Sequence, residues 1–152
     1  MFMKDAAGIY QELYEEIRKM HNRLRWLGDH IHRADGQTSA KRSLLWSLHE
    51  EGSATVPQLA AERLVSRQII QTQVNLLLTE GLVKFVPNPR HKRSKLLTLT
   101  SQGKALIEKM RQRETALLEQ TGSPLTADEV EKTVTNLRAL RTHLENNTPF
   151  PE

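Results

Sequence analysis

The 152-residue chain contains no cysteine, which excludes disulfide bonds, thiolate metal sites and a cysteine redox switch. No apolar run approaches the roughly 18–20 residues needed to span a membrane. The N-terminus also lacks the apolar core of an export signal. We therefore expect a protein without a membrane-spanning segment that resides in the cytoplasm.

Sequence motifs for catalysis and metal binding are missing as well. The chain has no His-Glu-x-x-His, no nucleophile elbow around a serine, no carboxylate pair at catalytic spacing and no phosphate-binding glycine loop. His30 and His32 are two residues apart, which on a helix separates their side chains by about 200° and makes a poor chelate. We expect no enzymatic activity, no bound metal and no cofactor.

Acidic residues are absent between Gly81 and Ile107, although the whole chain carries 18 of them against 22 basic residues. The cations in this interval are Lys84, Arg90, Lys92, Arg93, Lys95 and Lys104. A surface segment of one sign is a candidate contact for DNA phosphates or the minor groove. The alternative is a loop that only improves solubility.

Residues 55–80 are predicted to form two short helices joined by a tight turn. Thr55 and Gln58 make a capping box that begins the first helix, and Ser66 is the N-cap of the second. Spacings of four and three predict one buried face on the second helix: Ile70, Val74 and Leu77. The turn lacks glycine, so we expect Leu64 in ordinary φ/ψ space and a more open turn. The pattern is typical of a helix-turn-helix, whose second helix enters the DNA major groove.

A β-hairpin is predicted directly after the second helix. Gly81 ends that helix, and two short β-prone runs follow at residues 82–86 and 95–99. Residues 87–94 between them are rich in turn formers and cannot be a regular strand. We call this hairpin the wing, and residues 87–94 the wing tip.

Residues 59–103 contain the following short motifs in this order: Leu59-Ala60, Val65-Ser66-Arg67, Leu77, Glu80-Gly81-Leu82-Val83, Pro87, Pro89, Arg93-Ser94-Lys95, and Leu99-Thr100 with Gly103. In this combination they resemble the winged helix-turn-helix of the multiple-antibiotic-resistance regulator (MarR) family. The resemblance implies a mostly α fold with a small β-hairpin wing, and a transcriptional regulator that binds double-stranded DNA at a pseudo-palindromic operator. It also implies a homodimer in which the N- and C-terminal helices interlock.

DNA contacts are predicted on the second helix and on the wing. The candidates are Ser66, Arg67, Gln68, Gln71, Thr72 and Asn75 on the helix, and Arg90, Lys92, Arg93 and Lys95 on the wing. Gln71 and Asn75 are four residues apart, hence on one face, and amide side chains pair with adenine N6 and N7. The alternative is an ordinary solvated helix face. The resembled family commonly has an acid at the place of His91 to orient the wing arginine, so we expect Arg93 to be held less rigidly here.

Amphipathic helices flank this segment on both sides. Residues 5–34 are predicted to form the first helix, with an apolar seam that favours packing against a partner subunit over internal packing: Ile9, Leu13, Ile17, Met20, Leu24, Leu27 and Ile31. Thr38 or Ser39 is predicted to cap a second helix, which precedes the helix-turn-helix and the wing. After the wing, we expect a helix over residues 101–121 and a last helix that begins at the Thr126–Glu129 capping box. The last helix repeats Val130, Val134, Leu137, Leu140 or Arg141, and Leu144. We expect residues 146–152 to be irregular.

These predictions combine into a single MarR-like domain over residues 1–152. Residues 1–36 and 101–147 would form the dimerisation region, and residues 37–100 the winged helix-turn-helix. The resemblance further implies a small aromatic or anionic effector that relieves repression. Candidates to line its pocket are Arg23, Trp26, His30, Trp46 and His49, although both tryptophans also suit simple core packing. The alternative function is a protein-interaction module that keeps the fold but has lost specific DNA binding.

Overall fold

The computed structural model describes residues 6–148, with side chains from Gly8 onward. Its helices and strands are α1 (Ala6–Ile31), α2 (Ser39–Glu50), α3 (Val56–Arg63), α4 (Arg67–Thr79), β1 (Val83–Val86), β2 (Leu96–Leu99), α5 (Ser101–Thr121) and α6 (Ala127–Asn147). The predicted fold class, mostly helical with one small hairpin, is confirmed. None of the described helices is long and apolar enough to cross a membrane.

The capping signals in the sequence begin the helices where they were expected. The Thr55 hydroxyl accepts a hydrogen bond from the Gln58 N–H, and the Gln58 side chain accepts one from the Thr55 N–H at 2.8 Å. Ser66 accepts from the Ile69 N–H and caps α4, while Thr38 caps α2. Because each cap satisfies a backbone donor that the helix itself leaves free, these side chains determine where the helices begin.

The expectation for Leu64 was wrong. Leu64 has φ 57° and ψ 39°, in the left-handed region, immediately after α3. Its N–H bonds to the Ala61 carbonyl at 3.2 Å, and the Val65 N–H bonds to the Ala60 carbonyl at 3.1 Å. These two bonds form a Schellman motif, which requires a left-handed residue at this place. The turn is therefore closed without a glycine.

The first helix is shorter than predicted. It ends at Ile31, and Arg33–Asp35 form one turn of 3₁₀ helix before Gly36, which has φ 66°. The N–H groups of Asp35 and Gly36 bond to the carbonyls of His32 and Arg33, so the α-helical pattern has already given way to i→i+3 bonds. Residue 5, where the helix was expected to begin, lies outside the described residues.

The wing is a two-stranded antiparallel hairpin in which Val83 pairs with Leu99 and Val86 with Leu96. Leu97 also exchanges backbone hydrogen bonds with Ala54, at 2.8 and 3.2 Å. The hairpin is thus fixed to the segment that precedes α3. Because of this bridge, the wing and the two helices of the helix-turn-helix are held in one unit.

One apolar core supports this unit. Its fully buried members come from α2, α3, α4, the wing and α5: Leu44, Leu45, Leu59, Val74, Leu77, Leu97 and Ile107. The predicted buried face of α4 is confirmed, since Ile70, Val74 and Leu77 are all buried. Packing of this face orients the opposite face of α4 toward solvent.

Thr100 and Gly103 join the wing to α5. The Thr100 hydroxyl donates to the Gly81 carbonyl at 2.6 Å and accepts from the Gly103 N–H at 3.0 Å. Gly103 packs so closely that a Cβ there would lie 2.1 Å from the Leu82 carbonyl oxygen. A residue with any side chain is excluded at this position unless the backbone moves.

The chain divides into two compact units, residues 1–111 and 112–152. In the first unit, much of the apolar seam of α1 is exposed: Ile9, Ile17, Met20 and Leu24. In the second unit, α6 likewise exposes Val130, Val134, Leu137 and Leu144. Helix α6 continues to Asn147, so it includes two residues of the tail that was expected to be irregular, and residues 149–152 lie outside the described part.

Candidate nucleic-acid interface

Helix α3 is fixed against α2 by three hydrogen bonds between two pairs of residues. The Ser47 hydroxyl donates to a Glu62 carboxylate oxygen at 2.6 Å, and the Arg63 guanidinium donates to the Ser43 hydroxyl at 2.6 Å and to the Ser43 carbonyl. Burial lowers the pKa of Arg63 below its usual value, against the opposing effect of Glu62 and Glu51. The guanidinium nevertheless stays charged, because the ordinary pKa of arginine lies far above neutral pH.

The far end of α4 is held by a buried lysine. Glu80, the C-cap of α4, accepts from Lys41 Nζ at 2.5 Å and from Gln37 Nε2 at 2.7 Å. The Lys41 side chain is only 7% exposed. Burial of the Glu80 carboxyl opposes its ionisation, but the hydrogen bonds from Lys41 and Gln37 outweigh burial and hold the pKa of Glu80 below its ordinary value.

The six predicted contact residues of α4 and its cap are all exposed. Ser66 uses its hydroxyl oxygen as the helix cap, and Arg67 is the first helical residue. The Thr72 hydroxyl donates to the Gln68 carbonyl at 2.9 Å. Arg67, Gln68, Thr72 and Asn75 are separated by one, three or four residues, so they form one exposed face.

Gln71 and Asn75 are bonded to each other on this face. Gln71 Nε2 donates to Asn75 Oδ1 at 2.9 Å, across one turn of the helix. The bond restrains both amide groups, and it leaves the Gln71 carbonyl oxygen able to accept and the Asn75 amino group able to donate to a ligand. The sequence predicted that the two residues share a face, and the structure adds that they act as a single unit.

The wing tip is organised by Asn88. Its Nδ2 donates to the Ser94 carbonyl at 2.9 Å, and its Oδ1 accepts from the Arg90 N–H at 3.0 Å. Backbone bonds from His91 to Asn88 and from Ser94 to His91 complete the loop. Arg90, Lys92, Arg93 and Lys95 are all exposed along this tip and its exit. The backbone that carries the predicted cations is therefore fixed from within the loop.

The importance of three residues could not be read from the sequence. Asn88 was counted only as a turn former, whereas its side chain closes the tip. Lys41 and Arg42 are buried charges on α2, paired with Glu80 and with Asp29, whose Oδ1 lies 2.5 Å from Arg42 Nη2. Two adjacent cations at the start of a helix give no periodic signal, so only the fold brings their partners to them.

The residues predicted for an effector pocket form two separate local groups. On α1, the Arg23 guanidinium lies 5.2 Å from the Trp26 ring centre, and Trp26 stacks on His30 at 5.4 Å. On α2, Trp46 meets His49 edge-on at 6.0 Å, and Trp46 also packs against the core. The second group therefore serves core packing at least in part.

Two cavities lie beside the helix-turn-helix. One, of about 570 Å³, adjoins the end of α4 and the start of α5 and is lined by Asp35, Gly36, Gln37, Glu80, Leu82, Gln102, Ala105, Leu106 and Lys109. The five predicted effector residues are not among those that line it. The other, of about 750 Å³, lies between the start of α3 and the wing tip and includes Arg90 and His91.

Known proteins are similar to this chain in sequence. A sequence model of the MarR family matches residues 36–94. An uncharacterized protein of Mycobacterium tuberculosis is 33% identical over 101 residues, which are 66% of this chain and 70% of that protein. The match to the family model includes α2, α3, α4 and the first strand of the wing.

Solved structures resemble the chain over most of its length. A MarR mutant from Escherichia coli, complexed with operator DNA, superposes with a TM-score of 0.72 at 25% identity, covering 90% of this chain and 99% of that one. The regulator BldR from Sulfolobus solfataricus superposes with a TM-score of 0.79 at 17% identity, covering 92% and 99%. At that lower identity the likeness to BldR concerns the fold alone.

Proposed function

Because this chain belongs to the MarR family of transcriptional regulators, we propose that it is a homodimeric regulator that binds double-stranded DNA sequence-specifically and represses transcription. The observation that carries the proposal is that an exposed polar face on α4 and an exposed basic wing are supported by one core. No acidic residue lies between Gly81 and Ile107 to offset the wing cations. Such a surface attracts phosphates through its charge and reads bases through its amides.

Each part of this surface has a distinct role in the proposal. Helix α4 enters the major groove, where Gln68, Gln71, Thr72 and Asn75 face the base edges. Ser66 and Arg67, at the start of the helix, contact the backbone or a guanine. The wing places Arg90, Lys92, Arg93 and Lys95 along the adjoining minor groove. The winged helix-turn-helix over residues 37–100 thus holds the whole interface.

The dimer is proposed from the apolar faces of α1 and α6. Each helix exposes a stripe of apolar side chains at helical spacing, and a second copy of the chain would cover them. Residues 1–36 and 101–147 then form the dimerisation region, and a two-fold axis matches a pseudo-palindromic operator. Sedimentation at micromolar concentration should give a mass near twice 17.4 kDa.

The proposal includes release from DNA by a small aromatic or anionic effector. Such a ligand would bind more tightly to a conformation of the dimer in which the distance between the two α4 helices does not match the operator. Titration of the DNA complex with a panel of aromatic acids tests this part. An affinity for DNA that no member of the panel changes would remove the effector from the proposal and leave DNA binding in place.

Fluorescence anisotropy with DNA fragments from the region upstream of the gene tests the function itself. We expect tight binding to one fragment and an affinity that falls steeply with salt. Arg93→Ala should weaken binding to every fragment and flatten the salt slope by up to about 2 per dimer, because two phosphate contacts are lost. Gln71→Ala should mainly reduce the preference for the best fragment.

Arg138→Ala is the matched control, since it removes the same charge from an exposed site on α6. It should leave the salt slope unchanged. Binding of all fragments no tighter than about 10⁻⁴ M at physiological salt would contradict the proposal. The exposed apolar residues of α4 would then favour the second candidate, a winged-helix module that binds another protein.

A further inference from the structure

After Arg67, the exposed face of α4 lacks the charged side chains that usually read guanine and cytosine. Arg67, at the first position, is the one charged residue between Arg67 and Thr79. Arginine and lysine are the usual partners of guanine O6 and N7, and acidic side chains accept from cytosine N4. Beyond its first turn, this helix can therefore offer bases only amides, hydroxyls and apolar groups.

Amides occupy one edge of this face. The hydrogen bond between Gln71 Nε2 and Asn75 Oδ1 leaves an acceptor oxygen on Gln71 and a donor amino group on Asn75 for a ligand. Adenine presents the opposite pair in the major groove, a donor at N6 and an acceptor at N7. The Gln71 oxygen can therefore accept from an adenine N6, and the Asn75 amino group can donate to an adenine N7.

Apolar groups occupy the other edge. Ile69 and Leu76 are seven residues apart, hence on one side of the helix, and their exposed fractions are 52% and 48%. Thr72 lies between them, and its hydroxyl hydrogen is donated to the Gln68 carbonyl. The side chain therefore offers a ligand its methyl group and an acceptor lone pair, but no donor. We call Ile69, Thr72 and Leu76 the methyl stripe.

We propose that the methyl stripe packs on the C5-methyl groups of thymines, so that α4 selects A·T pairs in its half-site. The proposal rests on the proposed function and names the bases that the helix reads. Thymine is the only base with an apolar group in the major groove, and apolar side chains are its natural partners. The amides of the opposite edge would read the adenines of the same or neighbouring pairs.

Extent and charge favour DNA over a protein as the occupant of the stripe. A stable protein interface takes about 20–30 residues a side, with an apolar centre. The methyl stripe has three residues, and it adjoins the amide pair on a helix that begins with the cation of Arg67 and is followed in the chain by the basic wing. A narrow apolar stripe inside a polar, basic surface suits a groove lined by phosphates and scattered methyl groups.

The test compares thymine with deoxyuridine, which lacks only the C5-methyl group. Footprinting locates the binding site within the upstream fragment that binds best. Each thymine of a half-site is then replaced in turn by deoxyuridine. At a contacted position the affinity should fall by roughly fourfold, the factor that corresponds to burying one methyl group. Because the methyl group lies in the major groove, wing contacts in the minor groove are unaffected.

Ile69→Ala and Leu76→Ala show whether the stripe causes this loss. Each variant should bind the thymine and deoxyuridine forms with equal affinity at the position that it contacts. Leu125→Ala is the matched control, because Leu125 is 45% exposed but lies between α5 and α6. It should keep the fourfold ratio of the parent. Unchanged unfolding midpoints for all variants would show that the helix itself is intact.

The possible outcomes separate the two proposals. Sequence-specific binding with the fourfold ratio, lost in the stripe variants, supports the methyl stripe. Sequence-specific binding that is indifferent to deoxyuridine at every position overturns the stripe and leaves the proposed function standing. A ratio that persists in Ile69→Ala and Leu76→Ala also overturns it, since another group then reads the methyl. No sequence-specific binding at all overturns both proposals.

Discussion

Leu64 and Gly81 occupy equivalent places at the ends of two consecutive helices. Both have positive φ, 57° and 70°, and both follow the last turn of a helix that closes with a Schellman motif. After α4, the Gly81 N–H bonds to Leu78 and the Leu82 N–H to Leu77, as the Leu64 and Val65 N–H groups bond at the end of α3. The left-handed conformation suits glycine, whereas it strains leucine by about 1–2 kcal/mol.

Replacing Leu64 with glycine should therefore stabilise the protein. Relief of the strain outweighs the extra freedom that glycine gives the unfolded chain, which leaves a gain of about 0.5–1 kcal/mol. Little packing is lost, because Leu64 is 62% exposed. Urea unfolding of Leu64→Gly measures the gain, and Leu64→Ala, which keeps the strain, serves as the control. A Leu64→Gly protein no more stable than Leu64→Ala would contradict the strain.

Replacing Gly103 with alanine should strongly destabilise the protein. The new Cβ would meet the Leu82 carbonyl oxygen at 2.1 Å, so the start of α5 must move away from the wing. We expect a loss of about 2–4 kcal/mol in the free energy of unfolding. Gly28→Ala in α1 is a matched helical control, since its Cβ would meet only the Arg42 side chain, at 3.2 Å. Its effect should stay within about 1 kcal/mol.

The pair formed by Lys41 and Glu80 should make stability depend on acid pH. The pKa of Glu80 is lowered in the folded protein, so the pair contributes its full stability above the ordinary carboxyl value of about 4.3 and loses it as pH falls through the lowered value. Glu80→Gln should remove this dependence and leave a buried Lys41 cation without its counterion, at a cost of about 1–3 kcal/mol at neutral pH.

Urea titrations between pH 7 and pH 3 measure this effect for the parent and for Glu80→Gln. Their free energies of unfolding should converge as the pH falls. Glu129→Gln is titrated in the same way, so that the loss of a carboxylate at the exposed start of α6 can be compared with the loss of Glu80. Parallel curves for parent and Glu80→Gln down to pH 3 would show that the Glu80 carboxylate does not stabilise the fold.

Removing the Asn88 side chain should loosen the wing tip without unfolding the protein. Asn88→Ala deletes two hydrogen bonds inside the tip, each worth about 1 kcal/mol. Tryptic cleavage after Arg90, Lys92 and Arg93 should therefore be up to about thirtyfold faster. Asn136→Ala on α6 is the control, and it should keep the cleavage rate and the unfolding midpoint of the parent. Unaltered cleavage in Asn88→Ala would mean that the backbone alone orders the tip.

The sequence predicts the helices through local signals. Thr55, Ser66 and Thr126 are N-caps with partners three residues away, and Gly81 is a helix end, so each can be recognised within a few residues of chain. The buried face of α4 is read in the same way from the spacing of its apolar residues. Fold class and helix order consequently follow from the sequence.

The parts that sequence reasoning missed depend on contacts it could not see. Leu64 adopts a conformation that its own side chain disfavours, because the backbone bonds of the turn and the packing of α3 and α4 outweigh the strain. Lys41 and Glu80 are 39 residues apart, and no local pattern joins them. Of the candidate site, the shared face of Gln71 and Asn75 was predictable, whereas the hydrogen bond between them required side-chain positions.

Lys41 and Arg42 are neighbours in the chain, yet their ion-pair partners lie on different helices. Arg42 bonds to Asp29 on α1, and Lys41 bonds to Glu80 at the end of α4. The first turn of α2 is thus connected by one ion pair to α1 and by another to the end of α4. A displacement of α1 must either break the Asp29 link or pull α2 along with it. In the second case the displacement is transmitted to the end of α4 through Arg42 and Lys41, which are joined by a single peptide bond.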